Sequence, residues 1–255
     1  MDSLFKSEAQ RLRWLIREIE LGAAGTDVSL PDPESLELFR VTGCWMEICL
    51  TQAKGVLSLV ERKLFAAVGP LHRCLWELWI NWRYLLTIGD RRVNSAKVIL
   101  NAEVETVEFA EAHPKELDPA YLAFLRKRIQ EFELRNPEAA AQIRDQRRKR
   151  RFQWSGKSYS EMERLLSRGR GIYRPLSWET HAIVAAIRDV RVEVKSDGAR
   201  IEFGKQEEIA RPDFTLFSCG GVLFYIYNDF AKLWGLSKIA LPKMRAGSHG
   251  QSSCG

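Results

Sequence analysis

Residues 71–87 constrain this chain most. Leu71, Leu75, Leu78, Trp79, Ile80, Trp82, Leu85 and Leu86 place apolar side chains nearly all round a helical projection. A helix without a wet face is buried on most sides, so the rest of the chain must wrap it. The segment still carries His72, Arg73, Glu77 and Arg83. A membrane span would need about 20 mostly apolar residues, so a central core helix is expected. Phe214 to Tyr227 is apolar over too short a length to span and reads as a second buried helix.

Amphipathic helices supply the wrapping. Leu12, Leu15, Ile16 and Ile19 make one stripe, closed by Gly22 and Gly25. Asp32-Pro33-Glu34 reads as N-cap and first turn of the next helix, with Val41, Trp45, Ile48, Val56 and Leu59 along its face. Gly69-Pro70 precedes the central helix. Residues 94 to 112 follow, with Val104 and Val107 expected inward. Asp118-Pro119 opens a helix whose Leu122, Leu125, Ile129 and Phe132 step by three and four, and Asn136-Pro137 breaks it. Ser158 and Glu161 form a capping box before a short helix. A further helix is expected from about Pro175 to Val190. Periodicity then changes to alternation on both sides of Ser196-Asp197-Gly198, a hairpin pattern. The last helix is expected from about Asp213 to Gly235. The expected class is mainly α: a bundle of about eight helices with one small β-hairpin near residues 191–203. Residues 1–240 read as one helical domain and 241–255, rich in Gly and Ser, as a disordered tail.

Five cysteines, Cys44, Cys49, Cys74, Cys219 and Cys254, form no C-x-x-C pair. Reduced, buried thiols and a cytoplasmic setting are the expectation. The four histidines are not spaced as metal ligands, so no metal and no cofactor are expected. Ser155-Gly156-Lys157-Ser158 imitates the end of a phosphate-binding loop, but position 151, where the first glycine belongs, is Arg. Ser158 is better explained as a helix cap.

Three groups of residues could carry function. Arg73 and Glu77 lie four apart on the central helix and share a face, as a structural ion pair or one wall of a polar ligand pocket with Tyr173. Arg174, Ser177 and His181 fall on one face of the helix expected after Pro175, because seven residues make almost two turns. A guanidinium, a hydroxyl and an imidazole together suit phosphate binding and proton transfer, so these three are the candidate catalytic residues. Arg144, Arg147, Arg148, Lys149, Arg150 and Arg151, followed by Trp154, suit phosphate contacts with base stacking; they also suit a solvated helix end. The net charge of +6 favours a polyanion such as RNA as partner.

With these residues in view the chain resembles a bacterial all-helical family known only as a domain of unknown function. Arg73 and Glu77, then Trp154-Ser155-Gly156-Lys157, then Tyr173 with Ser177 and His181, carry the resemblance across about residues 35 to 235. It implies a helical fold and no defined activity. A weaker resemblance, through Arg174 and His181 with six residues between, is to the HEPN group of helical ribonucleases. There Pro175 stands where that group carries a polar residue. That resemblance implies metal-independent RNA cleavage by a homodimer. The leading expectation is a non-catalytic module binding nucleic acid or a partner protein through the basic arm. A HEPN-like endonuclease and a small-molecule pocket between helices are the alternatives.

Overall fold

The computed structural model describes residues 7–23, 28, 30, 32, 35–64, 67–113, 118–167, 190–195, 198–203 and 212–240. The described helices are α1 (Glu8–Ala23), α2 (Leu36–Glu61), α3 (Val68–Thr87), α4 (Arg91–Ala112), α5 (Pro119–Arg135), α6 (Pro137–Arg148), α7 (Tyr159–Ser167) and α8 (Pro212–Trp234). The chain is mainly helical, and this class rests on the helices alone. The backbone of β1 (Val190–Lys195) pairs antiparallel with β2 (Gly198–Phe203), Val190 standing opposite Phe203. Ser196 and Asp197 of the expected turn lie outside the described residues. So do residues 168–189, which hold the helix expected after Pro175, and the tail from 241 onward.

As its composition requires, α3 is central: it packs on α2, α8, α7 and α4. Leu75, Ile80, Trp82 and Leu85 are fully buried. The helix starts earlier than Gly69-Pro70 suggests. Val68 is its first residue, and Pro70 sits in the first turn, where a missing N–H leaves no bond unmade. The main core joins α1, α2, α3 and α8, through Leu12, Leu15, Ile19, Val56, Leu223 and Ile226 among others. A smaller apolar cluster gathers Ala96, Leu100, Phe132, Ala139, Ala140 and Ile143 from α4, α5 and α6.

Helix ends correct the sequence reading in places. The N-cap of α2 is Ser35, not Asp32; the Ser35 hydroxyl donates to Asp32 Oδ1 at 3.1 Å. The buried face of α2 runs through Leu38, Thr42, Cys49, Ala53 and Val56, and Ile48 is 42% exposed. A threonine, a cysteine and an alanine on the inner face hid its direction from an apolar count. Thr42 is satisfied there: its hydroxyl donates to the Leu38 carbonyl at 2.7 Å and accepts from Trp234 Nε1 at 3.1 Å. Asp90 caps α4, accepting from the N–H groups of Arg92 and Val93. Val104 and Val107 are half-buried rather than core residues, and line an open groove of about 270 Å³ against α5. Asp118 and Pro119 cap α5 as their residue types demand. α1 runs through Gly22 to Ala23. A Cβ at Gly22 would stand 2.7 Å from the Tyr227 hydroxyl, so this glycine lets α8 approach.

Two of the cysteines follow expectation. Cys49 and Cys219 are buried and reduced; Cys44 and Cys74 are exposed, which corrects the reading of wholly buried thiols. Among the described residues no helix is long and apolar enough to cross a membrane.

Candidate functional site

One face of α3 is polar. Arg73, Glu77 and Asn81 recur at steps of four, with Trp76 and Tyr84 beside them, so they form a stripe. α7 and the turn at 153–157 lie against α3 on this side, joined through Trp76, Asn81 and Tyr84. At the outer end Arg73 Nε donates to Glu77 Oε1 at 2.7 Å, with the side chains 28% and 19% exposed. Solvent therefore reaches both charges.

Asn81 joins three elements. Trp154 Nε1 donates to Asn81 Oδ1 at 2.9 Å, and Asn81 Nδ2 donates to the Tyr159 hydroxyl at 3.4 Å. An indole N–H can only donate, which fixes the orientation of the amide and turns its NH₂ toward Tyr159. Burial raises the Tyr159 phenol pKa, and the nearby Glu77 carboxylate adds to this, so the phenol stays protonated at neutral pH. One turn on, Glu163 is buried and accepts from Trp76 Nε1 at 3.1 Å. A guanidinium, two carboxylates, an amide and a phenol thus line one seam between α3 and α7.

The Trp-Ser-Gly-Lys stretch holds this seam and is no phosphate loop. Gly156 adopts φ +67°, and a Cβ on it would stand 2.8 Å from the Gln146 amide. Arg151 Nη1 donates to the Gly156 carbonyl at 3.1 Å, and Ser155 Oγ accepts from the Lys157 N–H at 3.1 Å. Ser158 and Glu161 make the capping box of α7: the Ser158 N–H donates to Glu161 Oε2 at 2.7 Å, and the Glu161 N–H to Ser158 Oγ at 3.3 Å. The Ser158 N–H, and the Ser158 hydroxyl donating to the same Oε2 at 2.9 Å, lower the Glu161 pKa. Trp154 is 8% exposed, packed by Tyr84 and Trp45. It therefore offers no open face for a nucleic-acid base, which corrects the role given to it in the basic arm. The Lys97 ammonium lies 5.9 Å from its ring centre. Burial lowers the Lys97 pKa, and Glu138 partly opposes this.

Much of the basic run is engaged within the protein. Arg144 pairs with Glu133 at 3.1 Å and Lys149 with Asp145 at 2.7 Å. Arg147 holds Glu108 at 2.6 Å and Asn101 at 3.0 Å, tying α6 to α4 with its side chain 14% exposed. Arg148 and Arg150 are exposed and make no ion pair or side-chain hydrogen bond among the described residues.

Tyr173, Arg174, Ser177 and His181 lie outside the described residues. Among those described, no group of three or more His, Cys, Asp or Glu could hold a metal ion. His72 faces away from the seam, its Nε2 2.9 Å from Ser218 Oγ, and burial lowers its pKa to about 4. Sequence reasoning found Arg73 and Glu77 and missed Asn81, Tyr159 and Glu163. Spacing signals Asn81, which continues the Glu77 stripe; Tyr159 and Glu163 lie four apart on α7, but nothing local points them at α3.

The chain is thus a mainly helical protein in which the Trp154–Lys157 turn is held on Asn81 and Tyr84 of α3. It belongs to DUF5677, a family of unknown function, which it matches over residues 39–199. No curated protein and no solved structure matches it.

Proposed function

We propose that this chain is a helical binding module whose ligand site is the polar seam between α3 and α7. The ligand is a small polar molecule with an anionic group. The observation that carries this is the solvent-reached Arg73–Glu77 pair at the end of the Trp154–Asn81–Tyr159 line. An anionic ligand would compete with Glu77 for Arg73, and the phenol and amide would read its hydroxyl or amine groups. Partly buried polar groups converging in this way, with a titratable phenol shifted by its surroundings, are the physical pattern of a binding site. Neither catalysis nor a cofactor is needed for this reading.

A thermal-shift panel of nucleoside monophosphates, sugar phosphates and dicarboxylates tests it. A ligand at a hundred times its Kd adds roughly 2.7 kcal/mol of stability. At least one class is expected to raise the Tm of the wild type and not of Arg73→Gln. A panel without any shift, or a shift kept in both Arg73→Gln and Glu77→Gln, sinks the proposal.

A second reading keeps RNA as partner of the basic arm. Arg148 and Arg150, exposed and without an ion pair among the described residues, favour it, while the pairs of Arg144, Arg147 and Lys149 weigh against it. Binding that weakens steeply with salt and is lost in Arg148→Ala/Arg150→Ala would support it. A cytoplasmic setting, in which thiols stay reduced, fits both readings.

A further inference from the structure

The outer face of α8 carries an exposed apolar stripe, touched among the described residues by Arg11 of α1, whose guanidinium carbon lies 5.6 Å from the Phe217 ring centre. Phe214, Phe217 and Tyr225 are 59%, 52% and 62% exposed. With Gly221 they share one side of the helix, since steps of three, four and four add up to three turns. Three large exposed rings on one helix exceed what a scatter of surface apolar residues explains. Between them lies a notch: a Cβ at Gly221 would meet nothing within 4 Å, and one at Gly220 would meet only Leu12, at 4.0 Å. At the two ends of the helix Asp213 and Lys232 are exposed, and neither has an ion-pair partner among the described residues.

We propose that α8 is a self-association interface, on which a second copy of this chain lays its own α8 antiparallel. Charge complementarity and shape choose the same register. A two-fold axis between residues 222 and 223 brings Asp213 of each copy beside Lys232 of the other. The same axis lays Tyr225 over Gly220 and Gly221 of the second copy, so a ring fills the notch the glycines leave. Phe217 then falls beside Asn228 of the second copy, whose amide is already bonded to the Ile239 backbone of its own chain. An isologous pairing of this kind closes as a dimer and leaves no further sticky face. The proposal does not depend on the α3–α7 ligand site.

Sedimentation equilibrium of the full chain tests it. The wild type is expected to reach twice the monomer mass as concentration rises. Tyr225→Glu and, independently, Phe217→Ser are expected to hold it at the monomer mass, with circular dichroism confirming that each folds. Asp213→Lys and Lys232→Asp should each raise the dissociation constant several-fold, and the double swap should restore it. A wild type that stays monomeric, a dimer that survives both aromatic changes, or a double swap no tighter than either single change overturns the proposal. Binding of the monomer to anionic phospholipid vesicles through the same rings would also overturn it.

Discussion

Single buried residues set the chemistry this bundle tolerates. His72 is the clearest case. Unfolded, its imidazole binds a proton below about 6.5; folded, burial holds it neutral down to about 4. Stability is therefore full above pH 6.5 and falls as pH drops from 6.5 toward 4. At 1.36 kcal/mol per unit this amounts to about 3 kcal/mol. Urea titrations across that range should show the loss in the wild type and a flatter profile in His72→Gln. Equal slopes would remove the assignment. The cysteines divide by burial too. Alkylation followed by mass spectrometry should label Cys44 and Cys74 in the native protein, with Cys49 and Cys219 labelled only on unfolding. Burial drives both inner thiols upward in pKa, Cys219 to about 12, so neither offers a thiolate.

At the scale of elements, α6 and the turn after it separate structure from binding. Arg147 is bonded to Glu108 and Asn101, so Arg147→Ala should lower stability by about 2 kcal/mol, the worth of hydrogen bonds to a charged group. Arg148→Ala should change it by less than about 0.5 kcal/mol, as surface changes do. Chemical denaturation of the two variants distinguishes them, and equal effects would show that Arg147 is not a tie. Gly156→Ala should cost about 1–2 kcal/mol for the left-handed backbone alone, with the contact to Gln146 in addition. Element boundaries were legible where local chemistry decides them. The Asp118-Pro119 cap, the Asn136-Pro137 break and the Ser158–Glu161 box need only a few residues each. The inner face of α2 was not legible, because Thr42, Cys49 and Ala53 are buried by tertiary partners such as Trp234. The partners of the basic run were not legible for the same reason. Its charge is visible in sequence, whereas Glu133 and Glu108, which meet it, come from other helices.

For the molecule as a whole, the all-round apolar helix foretold a central α3, and the neighbours follow from that. The candidate site was half legible. Arg73 and Glu77 share a helix, so spacing reveals them. Tyr159 and Glu163 meet α3 only after some 80 residues of intervening chain have folded back, and no local pattern carries that information. That seam is where this protein is expected to meet its ligand. Nitrogen-15 spectra of the tryptophan indoles test this most directly, since Trp76 and Trp154 place reporter N–H groups inside it. With both resonances assigned through Trp76→Phe and Trp154→Phe, the nucleotide, sugar-phosphate and dicarboxylate panel is added. The prediction is that one class moves both signals in the wild type and neither in Arg73→Gln. Signals that stay fixed across the panel, or that move equally in Arg73→Gln, would contradict it.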